Sequence, residues 1–158
     1  MAVWQFGIYF IANAIAATRR ISPGMTVSAA ERELITEWDN SALPSEELHQ
    51  LRQILPIGQS WSDNLDVLGD LESTCLTIRK ENHRVVSIRA RFDLRTLSIE
   101  VVNAVMKFAS AMDCLLLTDD NKVISPSLSV LKAEIKGSSA YRFVKDPRGF
   151  IADIDNAP

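Results

Sequence analysis

The sharpest alternation in the chain lies between residues 73 and 95. STCLTIRK and VVSIRARFDLR both read as strands, separated by Glu81-Asn82-His83-Arg84, a connection of ordinary hairpin length. In the second arm Val86, Ile88, Ala90, Phe92 and Leu94 share one side, and Ser87, Arg89, Arg91, Asp93 and Arg95 share the other. Side chains alternate across a strand, so this pattern predicts one buried face and one wet face. Near the start, Trp4, Phe6, Ile8 and Phe10 alternate with Val3, Gln5, Gly7 and Tyr9, which predicts a largely buried strand over Val3–Ile11.

Helical spacing follows. Pro23-Gly24 marks a turn. Ser28 with Glu31 three residues on forms a capping box for a helix to about Asn40, with Leu34, Ile35 and Trp38 inward. Ser45 reads as the cap of a second helix, with a stripe of Leu48, Leu51, Ile54 and Leu55 that Pro56 ends. Residues 58–69 read as a loop with Trp61 tucked inward. Ser98 caps a helix to about Asp113, with Ile99, Val102, Val105, Met106 and Ala109 facing in. Cys114–Thr118 is a short apolar strand and Asp119-Asp120-Asn121-Lys122 a turn. Ser127 begins a helix ending near Gly137, and Asp146-Pro147 opens a last short one.

This order predicts a single α+β domain over residues 1–158, with a mainly antiparallel sheet packed on helices. A ferredoxin-like β-α-β-β-α-β arrangement with extra C-terminal helices fits it. The C-terminal helices are then expected to cover an end of the sheet or part of its open face. The length, 158 residues, suits one domain with its own core. Cys75 and Cys114 sit in apolar stretches and read as two buried thiols in a reducing compartment. Residues 2–17 carry no charge, but a membrane-spanning helix needs about 20 apolar residues. A secretory leader has its basic residues first, whereas Arg19 and Arg20 follow. The Ala14-Ile15-Ala16 spacing imitates a cleavage site, which keeps export as the lesser alternative. The expected location is cytoplasmic, with no membrane partner.

Charge changes the picture. Between Glu31 and Glu72 stand ten acidic residues against Arg32 and Arg52, which leaves that segment eight charges negative. The whole chain is at −3, so the remainder carries about +5. Such asymmetry can steer a basic partner to one surface, although two solvated helices and a polar loop would look the same. Glu37, Asp39, Glu46 and Glu47 flank the turn between the two helices and are the preferred contacts. The alternative is basic. Arg79, Arg89, Arg91 and Arg95 line the hairpin's wet face and could grip phosphate or carboxylate, or simply pair with Glu81 and Asp93. An RNA-reading sheet would also show several stacking aromatics, and only Tyr9 is a candidate, so nucleic acid is disfavoured.

Signatures of catalysis are weak. His49 and His83 stand in no metal-ligand spacing, and the cysteines are remote from them in sequence. Ser129 and Lys132 match Ser-x-x-Lys without the companion motifs. Asp119 and Asp120, beside Asn121-Lys122, are better explained by turn chemistry. The glycines build no phosphate loop. The expectation is a protein that is not an enzyme, with no catalytic residue, cofactor or metal.

Five stretches carry a resemblance: WQFGIYF at 4–10, Ser60-Trp61-Ser62, RFDLR at 91–95, CLLLTDDNKVISP at 114–126 and SSAYRFVKDPRGF at 138–150. Together they resemble small bacterial immunity proteins of polymorphic or contact-dependent toxin systems. The resemblance implies a cytoplasmic protein that binds and blocks a cognate toxin domain, and it transfers no contact residue. A different protein-binding or structural role is the alternative, and a nucleic-acid-binding domain comes after it.

Overall fold

The sheet is laid on β1 (Gln5–Ala12). This strand pairs antiparallel with β4 (Arg84–Asp93), Phe6 opposite Phe92, and with β5 (Cys114–Thr118), Phe10 opposite Leu116. β3 (Cys75–Glu81) and β2 (Leu65–Gly69) continue the sheet beyond β4, and β6 (Val123–Ile124) continues it beyond β5. The computed structural model describes residues 1–38, 43–148, 151–152 and 156. Over those residues the protein is a mixed α+β domain with a six-stranded antiparallel sheet ordered β2-β3-β4-β1-β5-β6. A ferredoxin-like pattern calls for four strands, whereas the described residues form six, with β2 and β6 at the two edges.

Helices lie on both faces. On the first face Phe6, Phe10, Ile88, Phe92 and Leu116 pack with Leu51 of α3 (Ser45–Ile54), Val105 and Phe108 of α4 (Ile99–Ala111) and Leu131 of α5 (Leu128–Lys136). On the second face Ile11, Leu117 and Val123 meet Ala16 of α1 (Asn13–Arg19) and Ile35 of α2 (Ala29–Ile35). The second face is therefore covered at its β1–β5–β6 end by α1 and α2, not by the C-terminal helices. Over β3 and β4 that face carries Thr77, Ser87, Arg89 and Arg91, all half-buried.

The hairpin forms where its sequence predicts it, but a register shift between Arg79 and Lys80 turns Val85 rather than Val86 into the core. Asn82 and His83 take φ of 50° and 64°, the left-handed pair that suits a two-residue turn between twisted strands. Ser28 and Ser98 cap α2 and α4, their hydroxyls accepting from Glu31 N and Val101 N. Other expectations are corrected. Ser45 is already inside α3; Pro44, with φ near −67°, occupies the cap position and leads the chain in. α2 stops at Ile35 because the Thr36 hydroxyl turns back to Arg32 O and the chain leaves to seat Trp38, whose Nε1 donates to Phe10 O at 2.9 Å. Leu34 consequently points outward, 51% exposed, and Ile99, in the first turn of α4, is 55% exposed.

The segment 58–69 is not all loop. β2 forms there, and its Val67 and Leu68 are buried on opposite faces, which erases the alternation that would have announced a strand. Two helices also escaped the pattern: α1, directly after β1, and α6 (Ser139–Lys145), capped by the Ser138 hydroxyl accepting from Tyr141 N. Residues 147–148 and 151–152 are helical, near the expected last short helix. Among the described residues no helix is long and apolar enough to cross a membrane.

Candidate functional site

The acidic segment does not fold into one surface. α2, with Glu31 and Glu33 and with Glu37 just past its end, packs on the second face of the sheet, while α3, with Glu46 and Glu47 in its first turn, packs on the first. Trp38 marks the crossing at the sheet's end, its backbone N–H bonded to Val86 O and its ring to Phe10 O. Glu37 and Glu46 are exposed on either side of this crossing, and Glu47 is half-buried beside Gln50, Glu100 and Lys107 in a shallow depression of about 230 Å³. Asp39 lies outside the described residues. The remaining carboxylates, Asp63, Asp66, Asp70 and Glu72, surround β2. Asp66 pairs with Lys80 at 2.7 Å, and Asp70 accepts from Glu72 N at 2.9 Å in the turn before β3.

The β2 edge also carries what the sequence placed indoors. Trp61 is 80% exposed and Ile57 74% exposed. Residues 56–58 run along β2, with Ile57 opposite Leu68 and the Gly58 and Gly69 amides bonded to Val67 O and Pro56 O. From there the chain folds on itself. Ser60 Oγ bonds Ser62 O, Ser62 Oγ accepts from Asn64 N, and Asn64 O accepts from Lys80 N. These bonds satisfy the loop's backbone locally and leave the indole outside. Nothing in the spacing of 58–64 signals this, because a tryptophan in a polar loop ordinarily folds back onto the core.

The arginines of the hairpin divide into committed and less committed groups. Arg79 pairs with Glu81 at 3.3 Å and bonds Ser87 Oγ. Arg95 wraps Asp93, its Nε and Nη2 donating at 3.0 and 2.6 Å, and lies over the Trp4 ring, 4.1 Å from its centre. Asp93, expected on the wet face, is 1% exposed. Arg95 and the Ser73 and Thr74 hydroxyls enclose it, and the Arg95 hydrogen bond holds its carboxyl below the usual carboxylate range. Arg89 and Arg91 are half-buried on the second face, opposite Tyr9 and Gly7 of β1. Arg89 lies over Tyr9 at 4.7 Å and reaches Asp119 at 3.5 Å, while Arg91 donates to Leu71 O at 3.0 Å.

The remaining chemistry-bearing residues are dispersed. His49 is exposed on α3 near Gln53, and His83 is exposed in the hairpin turn. Among the described residues no three His, Cys, Asp or Glu side chains converge on a metal position. Ser129 contacts the Ser127 hydroxyl. Asp119 accepts from the Gly7 amide at 2.6 Å, and Asn121 N closes the turn on Thr118 O. Both thiols are free and buried. Burial, with the neighbouring Asp113 charge, pushes Cys114 up to about 12, and burial also raises Cys75. Comparison with family models, with curated proteins and with solved structures finds no match to this chain.

Proposed function

We propose that this protein is a toxin-neutralising immunity protein that binds and blocks one cognate toxin domain. The observation that carries the reading is Trp61, an exposed aromatic held on an ordered loop, with Ile57 exposed on the same edge and Asp63, Asp70 and Glu72 nearby in the chain. Protein interfaces draw most of their affinity from a few aromatic or apolar anchors inside a polar rim. An acidic rim favours a basic partner. Toxin domains that attack nucleic acids or nucleotides present basic clefts, and acidic side chains around an apolar anchor can occupy such a cleft. The resemblance in sequence supplies the partner class, and the charge distribution supplies its sign. Glu37, Glu46 and Glu47, at the other end of the acidic segment, form a second contact region in this reading.

The test is co-expression with the C-terminal domain encoded by any large toxin gene found next to this chain's own gene. Protection of the cells and co-purification of a stoichiometric complex are expected. Loss of both in Trp61→Ala, with its circular dichroism unchanged, would place the contact at the β2 edge. Survival and capture that are indifferent to Trp61, Glu37, Glu46 and Glu47 would refute the assigned surface. Absence of any complex would refute the toxin reading itself.

A further inference from the structure

We propose that the second face of the sheet holds an oxyanion site between Arg89 and Arg91, built to take a phosphate or carboxylate group. The two arginines alternate onto that face two positions apart on β4, which sets their backbones about 7 Å apart. The register places them opposite Tyr9 and Gly7 of β1 and opposite Thr77 and Cys75 of β3. This region has a small floor. Gly7 has no side chain, and the Asp119 carboxylate already lies over it: a Cβ there would stand 2.7 and 2.9 Å from the carboxylate oxygens and 3.1 Å from Arg89 Nη2, so the open side of the site is the one toward Arg91.

The guanidinium groups hold donors in reserve. Each has five N–H bonds in a fixed fork. Arg89 spends one on Asp119 at the long distance of 3.5 Å and reaches the Met1 sulfur at 3.5 Å; Arg91 bonds Leu71 O. The Nε groups of both are buried and find no acceptor among the described residues. Native structures seldom leave buried charged donors unanswered, because each costs stability. Two such donors on adjacent same-face positions are a specific departure from that pattern. Arg32 reaches the same place from α2, its guanidinium 5.6 Å from the centre of the Tyr9 ring on which Arg89 also lies. Arg32 and Arg89 thus lie over Tyr9 and Arg91 stands opposite Gly7; Asn121 accepts from Arg32, and Asp119 is the carboxylate that bonds Arg89. An oxyanion entering between Arg89 and Arg91 would accept from the guanidinium edges and restore charge balance. This site belongs to the sheet's face and is independent of the Trp61 edge and of any toxin.

The test is a titration of the ¹⁵N-labelled protein with inorganic phosphate, with succinate, and with sodium chloride at matched ionic strength, following the arginine Nε–H resonances. Saturable shifts of Arg89 and Arg91 with phosphate alone identify a phosphate site. Saturation with succinate as well identifies general oxyanion recognition. In Arg89→Gln and in Arg91→Gln the affinity should fall at least tenfold, and Arg89→Lys, which keeps the charge and loses the fork, should also bind more weakly. Shifts that stay linear and match those of chloride would overturn the proposal, and the wild-type titration alone decides this even where a variant fails to fold.

Discussion

Gly7 and Asp119 are joined across 112 residues of sequence by a 2.6 Å hydrogen bond from the Gly7 amide to the Asp119 carboxylate. The bond answers a β1 donor and anchors the β5–β6 turn, and the approach exists because residue 7 has no side chain. A Cβ there would lie 2.7 and 2.9 Å from the two carboxylate oxygens. Gly7→Ala should therefore expel the carboxylate and destabilise by about 1–3 kcal/mol, the range for overpacking. Asp119→Ala should cost about 1.5–3 kcal/mol for a hydrogen bond to a charged group. In the Asp119→Ala background, adding Gly7→Ala should cost almost nothing. A double-mutant cycle by urea unfolding reads the coupling, and additive costs would refute the linkage.

Asp93 predicts how stability responds to acid. Its folded carboxyl is held below the normal range, first by the Arg95 side-chain hydrogen bond, so its contribution is fully present above the unfolded value of about 3.9. As pH falls through the lower folded value the contribution disappears. Wild type should exceed Asp93→Asn in urea midpoint at neutral pH, and the two curves should converge on acidification. A constant gap between them down to pH 2 would show that Asp93 contributes through packing alone.

Phe92 and Arg91 test the alternation of β4. Phe92 is fully buried between β1 and the helices of the first face, so Phe92→Ala should cost about 3–5 kcal/mol. Arg91 is only half-buried and gives up one hydrogen bond to Leu71 O, so Arg91→Ala should cost about 1 kcal/mol. Equal losses in urea unfolding would contradict the two-sided strand.

The same strand shows what the sequence discloses. β3, β4, α4 and β5 were legible because each has one dry side and one wet side, or is wholly apolar, and because Ser98 and the Asn82-His83 turn act through local chemistry. β2 was not, since Val67 and Leu68 are buried on opposite faces of a two-sided sheet. Nor was the placement of α2, because Ile35 alone cannot say which face it will meet. The candidate surfaces were half legible. Residue type identified the arginines of β4, but their commitments depend on Asp119, Leu71 and Tyr9, all distant in sequence from Arg89 and Arg91 or on other elements. The exposure of Trp61 follows from local hydroxyl bonds that carry no periodic signal.

The two thiols should report global unfolding. Cys114 Sγ bonds Ala109 O in a buried setting, and its ionisation is pushed to about 12. Thiolate is the reactive form, so at pH 8 in the folded state both cysteines should resist a thiol reagent. Addition of urea should release two thiols together at the unfolding transition. Rapid labelling of Cys75 in native buffer would reveal local opening of the sheet around it, where it lies between Gly69 and Arg91.

Trp61 separates stability from binding more cleanly than any other residue. Its exposure means that Trp61→Ala should change folding stability by no more than about 0.5 kcal/mol. As an interface anchor it should contribute at least about 2 kcal/mol of binding, roughly a thirty-fold loss of affinity, expressed mainly in faster dissociation. Ile57→Ala should behave alike and more mildly. Charges at the rim act differently. Reversing Asp63 and Glu72, both exposed, should slow association at low ionic strength, and the difference should fade as salt shortens the Debye length. Reversing Glu37, Glu46 and Glu47 measures the other end of the acidic segment in the same way. Surface-binding kinetics with the toxin domain, run at two salt concentrations, distinguish these effects. If Trp61→Ala dissociates as slowly as wild type while the Glu37, Glu46 and Glu47 reversal abolishes the salt-dependent association, the partner sits on the α2–α3 crossing, and the exposed indole has no part in capture.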